Sequence, residues 1–286
     1  MSAVPPAGAA APAARVAPAA GLARFSFNQA TAKHWPLAEV VAGCVAAGVP
    51  GVGLWREPVA EYGLDRAARL VRDAGLTVTS LCRGGFFTTP GWRDENRRAI
   101  EEAATLGTTE LVLVSGGLPP GSRDVDGARR AVADAIAELA PQAAAAGVRL
   151  AIEPLHPMFC ADRCVVATLG QALDIAERFA PEVVGVVVDT YHVWWDDTVY
   201  DQIARAGARI AAFQVADWVT PLPEGVLLGR GLPGQGTVEL RRLREAVDAA
   251  GYTGPVEVEV FQADLWSRPG PDILAATIDT YLTHIP

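Results

Sequence analysis

Residues 143–154 read Ala143-Ala144-Ala145-Ala146-Gly147-Val148-Arg149-Leu150-Ala151-Ile152-Glu153-Pro154. A helix-like stretch stops at a small residue plus glycine, and an aliphatic run follows at once and ends in a carboxylate. Glycine suits such a joint because the residue just past a helix often takes positive φ, where a Cβ would clash. The same joint returns at Gly48, Gly75, Gly107, Gly207 and Gly251. A seventh, Ala180-Pro181, ends its helix by removing a backbone N–H instead.

Between the joints the hydrophobic period alternates, as a βα repeat requires. Leu37, Val40, Val41, Cys44 and Val45 recur at helical spacing, predicting a helix with Pro36 in its first turn and Cys44 in the core. Leu111–Val114 and Gly185–Val188 are continuous apolar runs, which suit strands covered on both faces. Seven joints plus an opening strand predict eight strands, and eight βα units match a (β/α)8 TIM barrel, whose usual size is ~250 residues. An open doubly wound sheet would need a glycine-rich turn after its first strand, where the chain reads Phe27-Asn28-Gln29-Ala30. The expected organisation is one catalytic barrel over residues 22–286. Residues 1–21, alanine and proline with one arginine, are expected to be a disordered leader and not a signal peptide.

The 286 residues are 50% hydrophobic and 20% charged, enough for one large core. No apolar run approaches the roughly 18 residues of a membrane span. Subtracting 33 Asp and Glu from 24 Lys and Arg gives −9, which repels phosphate backbones and argues against a nucleic-acid partner. Cys44, Cys82, Cys160 and Cys164 form no CxxC pair and are too sparse for a disulfide framework. They read as reduced thiols of a cytoplasmic enzyme, with Cys160 and Cys164 structural.

In a barrel of this kind the chemistry sits at the C-terminal strand ends. The last residues of the eight runs are Asn28, Trp55, Arg83, Ser115, Glu153, Asp189, Gln214 and Glu259. Three carboxylates converging on one mouth, with no Lys or Arg in the same motifs, repel one another, and one divalent cation resolves the conflict. The donors are all oxygen if Gln214 offers its carbonyl, so Mn2+ is expected, with Mg2+ or Co2+ as alternatives, over a thiolate-type zinc site. Any single acid could instead cap a helix or pair with a remote arginine.

The segments Leu150-Ala151-Ile152-Glu153-Pro154, Val188-Asp189-Thr190-Tyr191-His192, Phe213-Gln214-Val215-Ala216-Asp217 and Val256-Glu257-Val258-Glu259-Val260-Phe261 resemble motifs of the xylose-isomerase-like sugar isomerase/epimerase superfamily. The opening Phe25–Thr31, with Pro233-Gly234-Gln235-Gly236, looks most like the inosose isomerase branch. The resemblance implies that Glu153, Asp189, Gln214 and Glu259 hold the metal. Many members have His where Gln214 stands, and hydroxypyruvate isomerases are similar in using Gln. Glu257 points the same way along its strand and is the alternative ligand. The resemblance also implies a substrate-binding role for His192 and, through ketose epimerases, gives Arg230 a substrate hydroxyl or phosphate to hold. His156 reads as a second base or a loop cap, and Asn28, Trp55, Arg83 and the Trp194-Trp195 pair as pocket walls.

A divalent ion on a sugar's carbonyl and hydroxyl oxygens acidifies the adjacent C–H and stabilises the enediolate, with Glu153 and Glu259 as the acid/base pair. Return of the proton to the opposite face gives epimerisation, and to the neighbouring carbon gives isomerisation, of a keto-sugar, ketose or inosose. A lyase is the alternative: the chain also resembles metal-binding subunits of C-glycoside deglycosidases, which act on 3-keto-glycosides. There His156 would move the further proton, and the assembly would be a hetero-oligomer with a small subunit instead of a homo-oligomer. A non-catalytic sugar-binding barrel is the reading from another class. An endonuclease of the same superfamily conflicts with the −9 charge and with only four histidines for a multi-zinc site.

Overall fold

The glycine joints are helix ends: Gly48, Gly75, Gly107, Gly147, Gly207 and Gly251 all take positive φ, between 47° and 94°. This computed structural model describes residues 15–286. Strands β1 (Phe25–Asn28), β2 (Gly51–Trp55), β3 (Thr77–Gly85), β4 (Glu110–Val114), β5 (Arg149–Glu153), β6 (Val184–Asp189) and β7 (Ile210–Val215) alternate with helices. Two short strands follow, β8 (Asp217–Trp218) and β9 (Arg230–Gly231), and then β10 (Val256–Val258). β1 to β7 and β10 close into a parallel barrel in the order β1-β10-β7-β6-β5-β4-β3-β2. The chain therefore forms the expected eight-stranded TIM barrel, with β8 and β9 as an antiparallel hairpin on the mouth.

The helices that cover the barrel are α1 (Leu37–Ala46), α2 (Arg56–Tyr62), α3 (Leu64–Asp73), α4 (Trp92–Leu106), α5 (Val125–Ala145), α6 (Leu169–Ala176), α7 (Thr190–Val193), α8 (Val199–Ala206), α9 (Leu240–Ala249), α10 (Ala263–Trp266) and α11 (Gly270–His284). α1 buries Leu37, Val40, Val41 and Cys44 as its period predicts, but Val45 is 41% exposed. It sits one residue, about 100°, beyond Cys44 and so leaves the inward stripe. Burial pushes the Cys44 thiol up to about 12, which fits a packing role. All four cysteines are free.

Inside the barrel Cys82, Val112, Ala151, Val187, Ala211 and Ala212 form a separate layer of small side chains. That layer leaves room above it for polar groups at the strand ends. Within the segment expected to be a leader, Val16 N donates to Gly75 O and Ala19 N to Gly48 O, both at 3.0 Å. Alanine and proline offer little side chain to bury, but their backbone amides satisfy carbonyls at the helix ends. A Cβ at Gly48 would fall 2.9 Å from Ala19 N, so glycine also permits this approach. Residues 1–14 of the leader lie outside the described residues. No helix among the described residues is long and apolar enough to cross a membrane.

Candidate active site

Parallel register brings the candidate ligands level. Asp189 on β6 lies opposite Gln214 on β7, and Gln214 lies opposite Glu257 on β10. Glu153 ends β5, and Glu259 follows β10 by one residue. Glu153, Asp189, Gln214 and Glu259 are all buried.

Arg230 stands among them, itself 2% exposed. Its Nη1 donates to Asp189 Oδ2 at 2.9 Å and to Glu259 Oε2 at 3.0 Å, while Nη2 lies 3.0 Å from His192 Nε2. The strand-end motifs hold no basic residue, as read from the sequence, but a remote arginine reaches them, the alternative left open for each single acid. Arg230 arrives from β9, 41 residues beyond Asp189 in the chain, so no local motif reveals the pairing. The carboxylate of Asp217 ties down this loop, accepting from Trp218 N, Gly234 N and Val238 N at 2.9 to 3.0 Å. Gly236 is required there, since a Cβ would fall 2.2 Å from Trp218 O.

One guanidinium would not balance three ionised carboxylates, since −3 + 1 would leave −2, and the acids hold on to their protons instead. Burial, then the negative charges of Asp189 and Glu259, holds Glu153 well above the usual carboxylate range. Burial raises Asp189 in spite of Arg230 and pushes Glu259 up to about 8. Burial first, then Arg230, drives His192 well below the usual histidine value, so its ring is neutral. Two donors face that ring, His156 N at Nδ1 (3.2 Å) and Arg230 at Nε2. A neutral imidazole has one lone pair to offer, so one of these contacts is unsatisfied.

Gln214 Nε2 donates to Glu257 Oε1 at 2.9 Å, and its buried Oε1 has no partner among the described residues. A carboxylate only accepts, so Glu257 fixes the amide with its oxygen turned away. Glu257 also accepts from Asn28 Nδ2 (2.8 Å), Thr79 Oγ1 (2.6 Å) and Ser80 Oγ (2.9 Å), which leaves it engaged by neutral donors one layer below the mouth. The donor set fits a hard divalent ion: three buried carboxyl groups that release their protons most readily when a cation balances them, plus one orphaned amide oxygen. Glu153, Asp189 and His192 offer ligand atoms all within 4.8 Å of one another, so His192 could serve as a further donor to an ion held there.

A small cavity of about 40 Å3 touches Glu153, His192, Arg230 and Glu259, and a larger one of about 820 Å3 adjoins it. Trp55, Arg83, Arg163, Leu227 and Phe261 line both. Trp55 and Arg83 are thus brought to the pocket as expected. Asn28 is not: its side chain accepts from Ala30 N and Trp55 Nε1, both at 2.9 Å, and supports the wall from behind. The His156 ring packs between Trp195 and Trp218, with centroids 5.4 and 5.0 Å away, and caps the following turn by accepting from Met158 N. It lines neither cavity, and neither Trp194 nor Trp195 does. Arg163 escaped the sequence reading. Its available signal was position, since it lies in the loop leaving β5 at the mouth, between Cys160 and Cys164.

A profile of the xylose isomerase-like TIM barrel family matches residues 41–283. The chain belongs to that family. An inosose isomerase of Halalkalibacterium halodurans is 26% identical over 155 residues, 53% of each chain. A 3-dehydroshikimate dehydratase of Pseudomonas aeruginosa is 31% identical over 249 residues, 82% of this chain and 37% of that one. The match thus spans about half the length of the first relative and less of the second. The crystal structure of protein SMc04130 from Sinorhizobium meliloti 1021 superposes with a TM-score of 0.89 at 47% identity, covering 92% of this chain and 99% of that one.

Proposed function

We propose that this chain is a divalent-metal-dependent isomerase or epimerase of a small hydroxylated ketone, moving a proton on the carbon next to the carbonyl. One observation carries the reading: Glu153, Asp189 and Glu259 are buried together at one barrel mouth, under-balanced by a single arginine, beside an 820 Å3 cavity. Glu153, Asp189 and Glu259 would hold the ion, with Gln214 Oε1 or His192 as a further donor and Mn2+ favoured by the oxygen-rich set. When bound, the ion draws electron density from the substrate carbonyl and lowers the cost of removing the neighbouring proton. Glu153 and Glu259 take and return that proton. Burial raises both above the usual carboxylate range, toward the neutral pH at which a general acid/base works best. Arg230 holds Asp189 and Glu259 in place from the hairpin.

A second reading, a lyase that expels water after the same proton removal, is favoured by His192. Its neutral ring stands with Nε2 4.0 Å from Glu153 Oε1, where it can accept the proton that Glu153 removes from the substrate and pass it to the leaving hydroxyl, which departs as water. The dehydratase relative has this reaction in its name. Chelated and Mn2+-loaded protein, incubated with ketoses, inososes and cyclic keto acids in D2O, separates the two. Deuterium in recovered substrate or its isomer marks the isomerase or epimerase, and a conjugated product lacking water marks the lyase. Asp189→Asn should lower bound metal and turnover at least 100-fold. Unchanged metal content and turnover would refute the assignment.

A further inference from the structure

The arginines near the mouth divide into paired and unpaired. Arg56 is held by Glu95 and Glu102, and Arg230 by Asp189 and Glu259. Arg83 and Arg163 line both cavities, yet among the described residues neither guanidinium makes an ion pair or a hydrogen bond. Both are partly buried. Arg83 lies against aromatic faces, 4.3 Å from the Phe86 centroid and 6.0 Å from that of Trp55. Burial lowers its pKa, Glu57 opposes that, and Arg163 pushes the same way as burial. A partly desolvated cation without a partner is costly, and two lining the same cavities cost more. A bound anion removes both costs.

We propose that Arg83 and Arg163 form a carboxylate-binding subsite, so that the substrate is a hydroxylated ketone bearing a carboxylate and not a neutral sugar. Two planar guanidinium forks match the two oxygens of a carboxylate. The charge balance selects a monoanion over a dianionic phosphate: two arginines with Glu57 nearby sum to +2 − 1 = +1. Exposed Lys33, over Trp266 at 4.8 Å, adds attraction at the outer rim, partly offset by exposed Glu61. This inference rests on the cavity being the substrate site of the proposed enzyme.

The test measures affinities of the Mn2+-loaded full chain by titration calorimetry for two six-membered cyclic ketones, 3-dehydroshikimate with a carboxylate and an inosose without one. The wild type should bind the carboxylate ring at least tenfold more tightly, and raising salt should erode that ratio. Arg163→Gln and Arg83→Gln should each collapse the ratio at least tenfold, with Arg163→Lys retaining part of it. Equal wild-type affinities, an unchanged ratio in both Gln variants, no binding of the carboxylate ring, or tighter binding of fructose 6-phosphate than of 3-dehydroshikimate would overturn the subsite. Deuterium exchange next to the carbonyl, followed in the same samples, judges the isomerase reading separately. Selective binding without exchange or dehydration would sink that reading and leave the subsite standing.

Discussion

Raising the pH should destabilise the metal-free protein through Glu259, and the size of the effect follows from its burial. The carboxyl titrates near 4.5 when the chain is unfolded and is pushed up to about 8 in the fold. The folded form therefore holds a proton that the unfolded form has released. The associated stability is fully present below pH 4.5 and is lost as pH rises through about 8. Every tenfold difference in proton affinity between the two forms is worth about 1.4 kcal/mol, so the loss across that window is roughly 5 kcal/mol at most. At about 2 °C per kcal/mol for a domain of this size, melting should fall by roughly 10 °C.

The proton uptake belongs to the cluster of Glu153, Asp189 and Glu259, so the informative quantity is a difference between variants. Glu259→Gln mimics the protonated acid and shares every other titrating group with the wild type. In chelator, calorimetric melts between pH 5 and 8.5 should show the wild type falling relative to Glu259→Gln, with the variant the more stable at pH 8. Saturating Mn2+ should reverse the wild-type trend, because ligands must ionise to bind it. Parallel pH profiles of the two proteins in chelator would refute the reasoning.

Glu257→Gln should weaken Mn2+ binding about tenfold, since an amide beside Gln214 no longer dictates which way that side chain points. Metal titration with a fluorescent chelator measures it, and an unchanged affinity would show that Gln214 is not held for the ion. Deleting residues 1–20 removes the amides of Val16 and Ala19 from Gly75 and Gly48, and melting should fall by a few degrees, roughly 1–2 kcal/mol for two hydrogen bonds. A melting temperature within error of the full chain would mean that the segment contributes nothing. His156→Ala should change turnover less than tenfold, because the ring packs on Trp195 and Trp218 outside both cavities. A larger loss with metal content intact would restore the base role.

The barrel is legible in the chain because its signals are local. A glycine at positive φ after a helix, an aliphatic run and a polar residue at its end are each determined within a dozen residues, as Gly147 to Glu153 illustrates. That the chemistry lies at strand ends follows from the fold class, so Glu153, Asp189, Gln214 and Glu259 can be named from sequence alone. Which groups share space is decided by closure. Pairing β6 with β7 and β7 with β10 sets Gln214 between Asp189 and Glu257, and the amide's orientation then follows from an acceptor 43 residues away. The family resemblance offers Arg230 to substrate, and the hairpin that brings it to the small cavity also folds it onto Asp189 and Glu259, a pairing no local motif announces. Arg163, with no motif around it, gains meaning only by lining, together with Arg83, a cavity that exists once eight strands have closed. Local periodicity encodes which face of an element is buried, whereas charge pairing depends on distances between segments far apart in sequence, and only the closed barrel sets those distances.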